Sequence, residues 1–307
     1  MPESPKTPSS APDPAPKTAG DMMRRAREFL SRKGVEDARL ESELLVAHAL
    51  GLTRLQLFMQ LDRPVKSTEI DAARELLVRR GRREPAAYIT GRREFYGRAF
   101  RVGPGVLVPR PETEHVVDRA RAIAKERAAR GDPVALAADF GTGSGCIAIT
   151  LALEIQSLEV VAVDVSAPAL AIARENAEKL GARVRFLEGD GFATLGRVVV
   201  ERGRGFDLLM ANPPYIARSD RTTLAPEVRD HEPEEALFAP DGDPDHFARR
   251  FLDEGRALLA PRGVILVELG HDQASRVRAL ANARAIPVRF HRDLAGHERV
   301  LEIEGSA

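Results

Sequence analysis

Cysteine is nearly absent from the sequence: Cys146 is the only one in 307 residues, so no internal disulfide can form. Its place beside a glycine-rich stretch reads as that of a small packed residue. The seven histidines are scattered, with no His-x-x-x-His pair and no Cys-x-x-Cys to join them, and no metal is expected. Long apolar runs are missing too. Nothing approaches the ~20 residues that a membrane helix requires, so no membrane partner is expected. Net charge is also absent, with 46 basic residues against 46 acidic ones. A chain whose main substrate is nucleic acid is more often clearly basic, which argues against that class. Residues 1–20 are rich in Pro, Ser, Ala and Lys but have no hydrophobic core of the kind a signal peptide carries. They read as a disordered tail on a cytoplasmic protein.

Beyond the tail, residues 21–85 read as a helical domain. Ala26, Phe29 and Leu30 begin an apolar stripe, and Leu40, Leu44, Leu45, Ala47 and His48 continue a second at helical spacing. Gly34 and Gly51 fall at expected helix ends. Arg79, Arg80, Arg82 and Arg83 cluster near its close, with Arg92 and Arg93 soon after. They suit either a solvated helix end or an electrostatic docking patch. Residues 86–108 hold Tyr88, Ile89, Phe95, Tyr96, Phe100 and Val102 among glycines, which predicts strands and a hairpin linking two domains. From 109 to 307 strands and helices alternate. Strands are expected at Val134–Phe140, Val160–Val165, Val184–Leu187, Phe206–Ala211, Val264–Leu269, Val288–His291 and Val300–Ile303. Helices include Ala167–Leu180 and His246–Leu259. The fold class is therefore α/β, a Rossmann-like, mostly parallel seven-stranded sheet behind a small helical bundle. Such sheets bind ligands at the carboxyl ends of their strands.

The informative residues lie at those ends. Asp139-Phe-Gly-Thr-Gly-Ser-Gly145 follows the first strand and opens a helix at Cys146. Along Gly141, Thr142, Gly143, Ser144 and Gly145 the glycines let backbone pass close to a ligand with no side chain in the way. A turn of this kind could also serve a dinucleotide, but the spacing departs from Gly-x-Gly-x-x-Gly, and no P-loop lysine follows. Asp164, ending the next strand, can accept hydrogen bonds from both hydroxyls of a ribose, while Ser166 suits the helix cap behind it. Asp190, Gly191 and Phe192 end the third strand, where a carboxylate or backbone amide can read an adenine amino group beside a ring. Together the three ends suit S-adenosylmethionine.

The fourth strand ends in Asn212-Pro213-Pro214-Tyr215. An amide nitrogen is a poor nucleophile because its lone pair is delocalised, so it must be held in line and shielded from water. Accepting hydrogen bonds from its N–H groups draws electron density toward nitrogen. The Asn212 side-chain oxygen and the Pro213 carbonyl can each accept one, and two successive prolines hold that carbonyl rigidly. Tyr215 offers a flat face for a planar amide or a nucleobase. The motif thus points to methyl transfer onto a planar nitrogen.

With these motifs the sequence resembles the HemK/PrmC family of peptide chain release factor glutamine N5-methyltransferases. The resemblance runs from about Asp21 to the end. It is carried by Val108-Pro-Arg-Pro-Glu-Thr-Glu114, Asp139–Gly145, Ala211-Asn-Pro-Pro-Tyr-Ile216, Val267-Glu-Leu-Gly270 and Asp293-Leu-Ala-Gly-His-Glu-Arg-Val300. Asn-Pro-Pro-Tyr alone is shared with adenine and guanine amino-methyltransferases. The resemblance implies that Gly141–Gly145 and Asp164 bind S-adenosylmethionine, with Asp190, Gly191, Phe192 and Asn212 completing the site. Asn212, Pro213, Pro214 and Tyr215 would hold the glutamine of a release factor's Gly-Gly-Gln motif. The helical domain would help engage that factor. Phe140 departs from a usual leucine, an apolar exchange of little expected consequence. Gly191 stands where some members carry an aromatic ring against adenine; either Phe192 supplies that ring or the base is held without one. The rival is a DNA or RNA base methyltransferase with the same chemistry; a non-catalytic cofactor binder would have shown a broken loop or an altered Asn212. Nothing requires more than a monomer.

Overall fold

The computed structural model describes residues 15–305, so most of the expected tail lies outside the described residues. The chain is already helical by residue 19, because Thr18 caps the first helix by accepting a hydrogen bond from the Asp21 amide. The chain divides into two units, at Thr90 and Gly91.

Among the described residues the first unit holds five helices: α1 (Ala19–Arg32), α2 (Ala38–Ala49), α3 (Arg54–Met59), α4 (Ser67–Gly81) and α5 (Ala86–Thr90). Its core gathers Met22, Ala26, Leu30, Leu45, Val46, Ala47, Leu57 and Ala73. The second apolar stripe is therefore offset from the expected one. Leu40 and Leu44 are exposed, whereas Glu43 is buried between Arg39 and Arg54. Three of the clustered arginines are structural. Arg79 forms a two-bond pair with Glu84, Arg83 donates to the Gly34 carbonyl, and Arg80, only 1% exposed, is clamped on Glu41. The Arg80 guanidinium, buried and paired in this way, serves packing, whereas Arg82 and Arg92 are exposed. Tyr88 and Ile89 are helical rather than extended, and Ile89 packs into this unit's core.

The second unit begins with a hairpin, β1 (Arg92–Phe95) and β2 (Arg98–Arg101), whose Phe95 and Phe100 pack edge to face. Both rings belong to the core of this unit, so the hairpin is part of it. There follow α6 (Glu114–Ala129), β3 (Leu136–Phe140), α7 (Cys146–Glu154), β4 (Glu159–Asp164), α8 (Ala167–Leu180), β5 (Val184–Glu188), α9 (Gly191–Arg202) and β6 (Phe206–Ala211). After them come α10 (Pro226–His231), α11 (Glu234–Leu237), α12 (His246–Asp253), β7 (Leu259–Glu268), α13 (Ala274–Ala283), β8 (Val288–Arg292) and β9 (Glu298–Glu304). All seven expected strands form one sheet, in the order β5-β4-β3-β6-β7-β9-β8. Strands β3 to β7 are parallel, and β9 runs antiparallel to β7 and β8.

Alternation along each strand builds two cores, one per face. Ala137, Val160, Ala162, Leu208 and Met210 face α6 and α7. Leu136, Ala138, Phe140, Val161, Val163 and Leu209 face α9, α12 and α13. The strand order reverses between β3 and β6, which opens a crevice at their carboxyl ends.

Candidate active site

A cavity of about 290 Å³ fills that crevice, and every residue lining it belongs to the second unit. It joins Gly141 and Gly143 after β3, Asp164 at the end of β4, Gly189 to Gly191 after β5 and Asn212 to Pro214 after β6.

The loop after β3 owes its shape to left-handed backbone at Gly141, Gly143 and Gly145 (φ +70°, +54° and +82°), which only glycine adopts without strain. Gly141 and Gly143 present backbone to the cavity. Thr142 and Ser144 turn inward and are buried. The Thr142 hydroxyl donates to Asp139 Oδ2 at 2.7 Å, and the same oxygen accepts from the Ala148 amide at 3.2 Å, tying loop to helix. Burial pushes the Asp139 carboxyl up to about 7, against those two hydrogen bonds. The Ser144 carbonyl accepts from Asn176 Nδ2. Gly145 lies so close to α7 that a Cβ would fall 2.7 Å from Ile149 Cδ1.

Asp164 spans the gap between loop and helix. Its Oδ2 accepts from the Gly143 amide at 2.8 Å and its Oδ1 from the Ser166 amide at 2.9 Å. Burial raises its pKa, and the backbone amides oppose that shift. Ser166, not Asp164, caps α8. Each Asp164 oxygen keeps a second lone pair, so a pair of vicinal hydroxyls can be accepted without breaking this scaffold. Asp190 caps α9 by accepting from the Ala193 amide, and it lines the cavity as well.

Phe192 is not at the wall. It is buried among Phe140 and Phe251, with the Arg250 guanidinium 4.3 Å from its ring centre. The phenyl rings that line the cavity are Phe140 and Phe247, 5.7 Å apart and edge to face. A Cβ on Gly191 would lie 2.0 Å from Phe140 Cε2. Phe140 and Gly191 are thus one feature: the ring comes from β3 and fills the space that a side chain at 191 would occupy. The exchange of leucine for Phe140 therefore has a consequence that its apolar character hid.

Asn212 leaves β6 at the cavity edge, with Pro213 and Pro214 beside it. Its Nδ2 donates to Thr113 Oγ1 at 3.0 Å, which leaves its oxygen as the free end of the amide. Tyr215 stands behind the motif rather than at the cavity wall. Its ring rests on Gly270, where a Cβ would be 3.1 Å away, and burial raises its hydroxyl pKa.

Several residues here drew no expectation. Glu232 is buried and accepts from the Val108 amide at 3.0 Å and from Arg110 at 2.7 Å, fastening the Pro109–Glu114 segment to the loop after β6. Glu268, the last residue of β7, is 2% exposed, and its Oε2 has no hydrogen-bond partner. A carboxylate directly after the apolar run Val264–Val267 was the available signal. Glu235, His246 and Arg250 also line the cavity. Among the described residues no group could hold a metal ion, and no helix is long and apolar enough to cross a membrane.

A glycine loop, a carboxylate two bonds deep in backbone amides and an acceptor-bearing Asn-Pro-Pro motif, on a sheet of this order, define a Rossmann-like methyltransferase that uses S-adenosylmethionine. Similarity to known proteins agrees. The PrmC N-terminal domain model matches residues 21–91, and the methyltransferase small domain model matches residues 123–231. The release factor glutamine methyltransferase of Geobacter sulfurreducens is 44% identical over 253 residues, covering 82% of this chain and 84% of that one. That of Bacillus subtilis is 35% identical over 291 residues, covering 93% and 97%. Among solved structures, the hMettl16 catalytic domain in complex with MAT2A 3'UTR hairpin 6 shares the fold, with a TM-score of 0.53, 17% identity and 78% and 82% of the two chains covered. The chain belongs to the release factor glutamine methyltransferase family.

Proposed function

We propose that this enzyme transfers the methyl group of S-adenosylmethionine to the side-chain amide nitrogen of the glutamine in a release factor's Gly-Gly-Gln motif, modulating translation termination. The relatives' names supply the substrate class. The observation that carries the chemistry is the Asn212 amide, held by its nitrogen on Thr113 beside the cavity that Gly141, Gly143 and Asp164 line. S-adenosylmethionine, when bound, supplies an electrophilic methyl on a sulfonium. Asp164 would take the ribose hydroxyls, the Gly141–Gly145 backbone the methionyl part, and Asp190, Gly191 and Phe140 the base. Asn212 and Pro213 would accept the target amide's two N–H groups, raising electron density on nitrogen. The prolines would keep both acceptors fixed, so little reorganisation remains for the transition state. We assign Pro214 to the same glutamine pocket. Tyr215 we assign to bracing the motif from behind.

In the same reading residues 21–85 engage the release factor, residues 109–307 carry out transfer, and the enzyme works as a cytoplasmic monomer that needs no nucleic acid. The rival substrate, a DNA or RNA base, is not favoured by the relatives.

Labelled S-adenosylmethionine with release factor, with its Gly-Gly-Gln glutamine-to-alanine variant and with duplex DNA tests the proposal. Label is expected on the wild-type factor alone; label on the alanine variant or on DNA refutes it. Asn212→Ala is expected to abolish transfer while cofactor affinity stays within about threefold, since the lost contact acts in the transition state. A parallel loss of cofactor binding would overturn the division of roles.

A further inference from the structure

An amide's two ends are nearly the same size, so hydrogen-bond partners decide which end faces a substrate. For Asn212 that decision is critical: the oxygen accepts from the target amide, whereas the NH₂ would repel it. Thr113 alone cannot decide it, because a hydroxyl donates as readily as it accepts. Resting on the role proposed above for Asn212, we infer that Glu268 and Thr113 form a positioning pair that fixes the Asn212 carboxamide with its oxygen toward the substrate.

Three observations carry this. Thr113 ends a 3-10 turn, Pro111–Thr113, that runs straight into α6, so its backbone is helical and its side chain is not spent on a cap. Thr113 is 2% exposed; its oxygen accepts from Asn212 Nδ2 at 3.0 Å, and the Glu268 carboxyl lies within reach of the same hydroxyl. The register of β6 on β7 sets Ala211 opposite Val267, which brings Asn212 and Glu268 side by side at the strand ends. Glu268 is held in a dry place without a direct cationic partner. The nearest arginines are used elsewhere, Arg110 on Glu232 and Arg299 on Asp293. Its Oε2 has no hydrogen-bond partner at all. Such a carboxylate is costly to bury and stabilises nothing by itself.

A charged Glu268 can only accept. It turns the Thr113 proton toward itself, leaving the Thr113 oxygen to accept from Asn212 and so excluding the flipped amide. A protonated Glu268 can donate to Thr113, which frees the Thr113 proton for Asn212 Oδ1 and admits the flipped, unproductive amide. Burial pushes the Glu268 carboxyl up to about 7, the Thr113 hydroxyl opposing it; Glu112 raises it further, and Arg299 and Arg110 lower it. Tyr215 and Cys146 also face it, both with pKa values raised by burial and by Glu268, and both neutral near pH 7. Turnover should therefore fall as pH drops through about 7.

The test uses the full chain with release factor at saturating cofactor. Thr113→Val is expected to lower kcat at least about tenfold with KM and cofactor affinity nearly unchanged, and Thr113→Ser to restore most of it. Glu268→Gln is expected to remove the acid limb of the kcat–pH profile, leaving a lower, flat plateau. In Asn212→Asp, which presents oxygen whichever way it turns, adding Thr113→Val should cost less than in wild type. Wild-type kcat in Thr113→Val, or an acid limb that survives unchanged in Glu268→Gln, overturns the inference. Cofactor binding by each variant reports that the site is folded. Full activity in Asn212→Ala would instead defeat the underlying role of Asn212, so the two failures are distinguishable.

Discussion

Gly191, at the start of α9, and Phe140, at the end of β3, share one volume. Because a Cβ at 191 would sit 2.0 Å from the Phe140 ring, Gly191→Phe is expected to weaken cofactor binding at least about tenfold and lower the melting temperature. Phe140→Leu in the same chain should recover much of both, since it vacates the space the new ring needs. Isothermal titration and thermal melts of the single and double variants measure the coupling. A sequence read residue by residue could not find this pair. Phe140 reads as one apolar residue for another, and Phe192 stands in line for the ring; only the packing of β3 against the start of α9 shows which ring has room. Tyr215 teaches the same lesson, since its place in the motif says nothing of the Gly270 surface behind it.

At the scale of elements, the loop after β3 is held by a buried acid with a raised pKa. The folded chain keeps a proton on Asp139 that the unfolded chain gives up above its ordinary value near 4. This group's favourable contribution is therefore complete below pH ~4 and is lost as pH rises toward about 7. Asp139→Asn removes that loss. Urea midpoints across pH 4–8 should shift in the variant's favour as pH rises, with a limiting slope of about 1.4 kcal/mol per pH unit. Glu232 acts oppositely, as a pair rather than an unpaired burial. Glu232→Ala leaves the Val108 amide and Arg110 without their acceptor and should cost about 1–3 kcal/mol, read from the same midpoints. All seven strands of the sheet and helix α8 were legible in the sequence, because alternation and caps are local signals. Residues 86–90 were not: Tyr88 and Ile89 have strand-like side chains, but their burial against the helical unit decides for a helix. The cavity lining was legible at Gly141, Gly143, Asp164 and Asn212, whereas Glu232 meets Val108 and Arg110 at separations of 124 and 122 residues, which no local pattern shows.

Considered whole, the chain keeps its cavity and its complete sheet in the unit from Gly91 onward, and its arginine-bound helical core in the unit before it. A fragment of residues 91–307 is expected to bind S-adenosylmethionine nearly as tightly as the full chain while losing transfer to intact release factor. Equilibrium binding and the labelled-methyl assay separate the two outcomes. One further property belongs to the molecule as a whole. Its single thiol, Cys146, is buried at the head of α7, and burial there pushes its pKa up to about 12. It is thus nearly inert to alkylating reagents at neutral pH. A cysteine placed on any exposed residue, such as Leu294 between β8 and β9, would be the one that reacts. The native chain is therefore already a clean background for site-specific fluorophores or spin labels, with which the distance between the helical and catalytic units can be followed as a release factor binds.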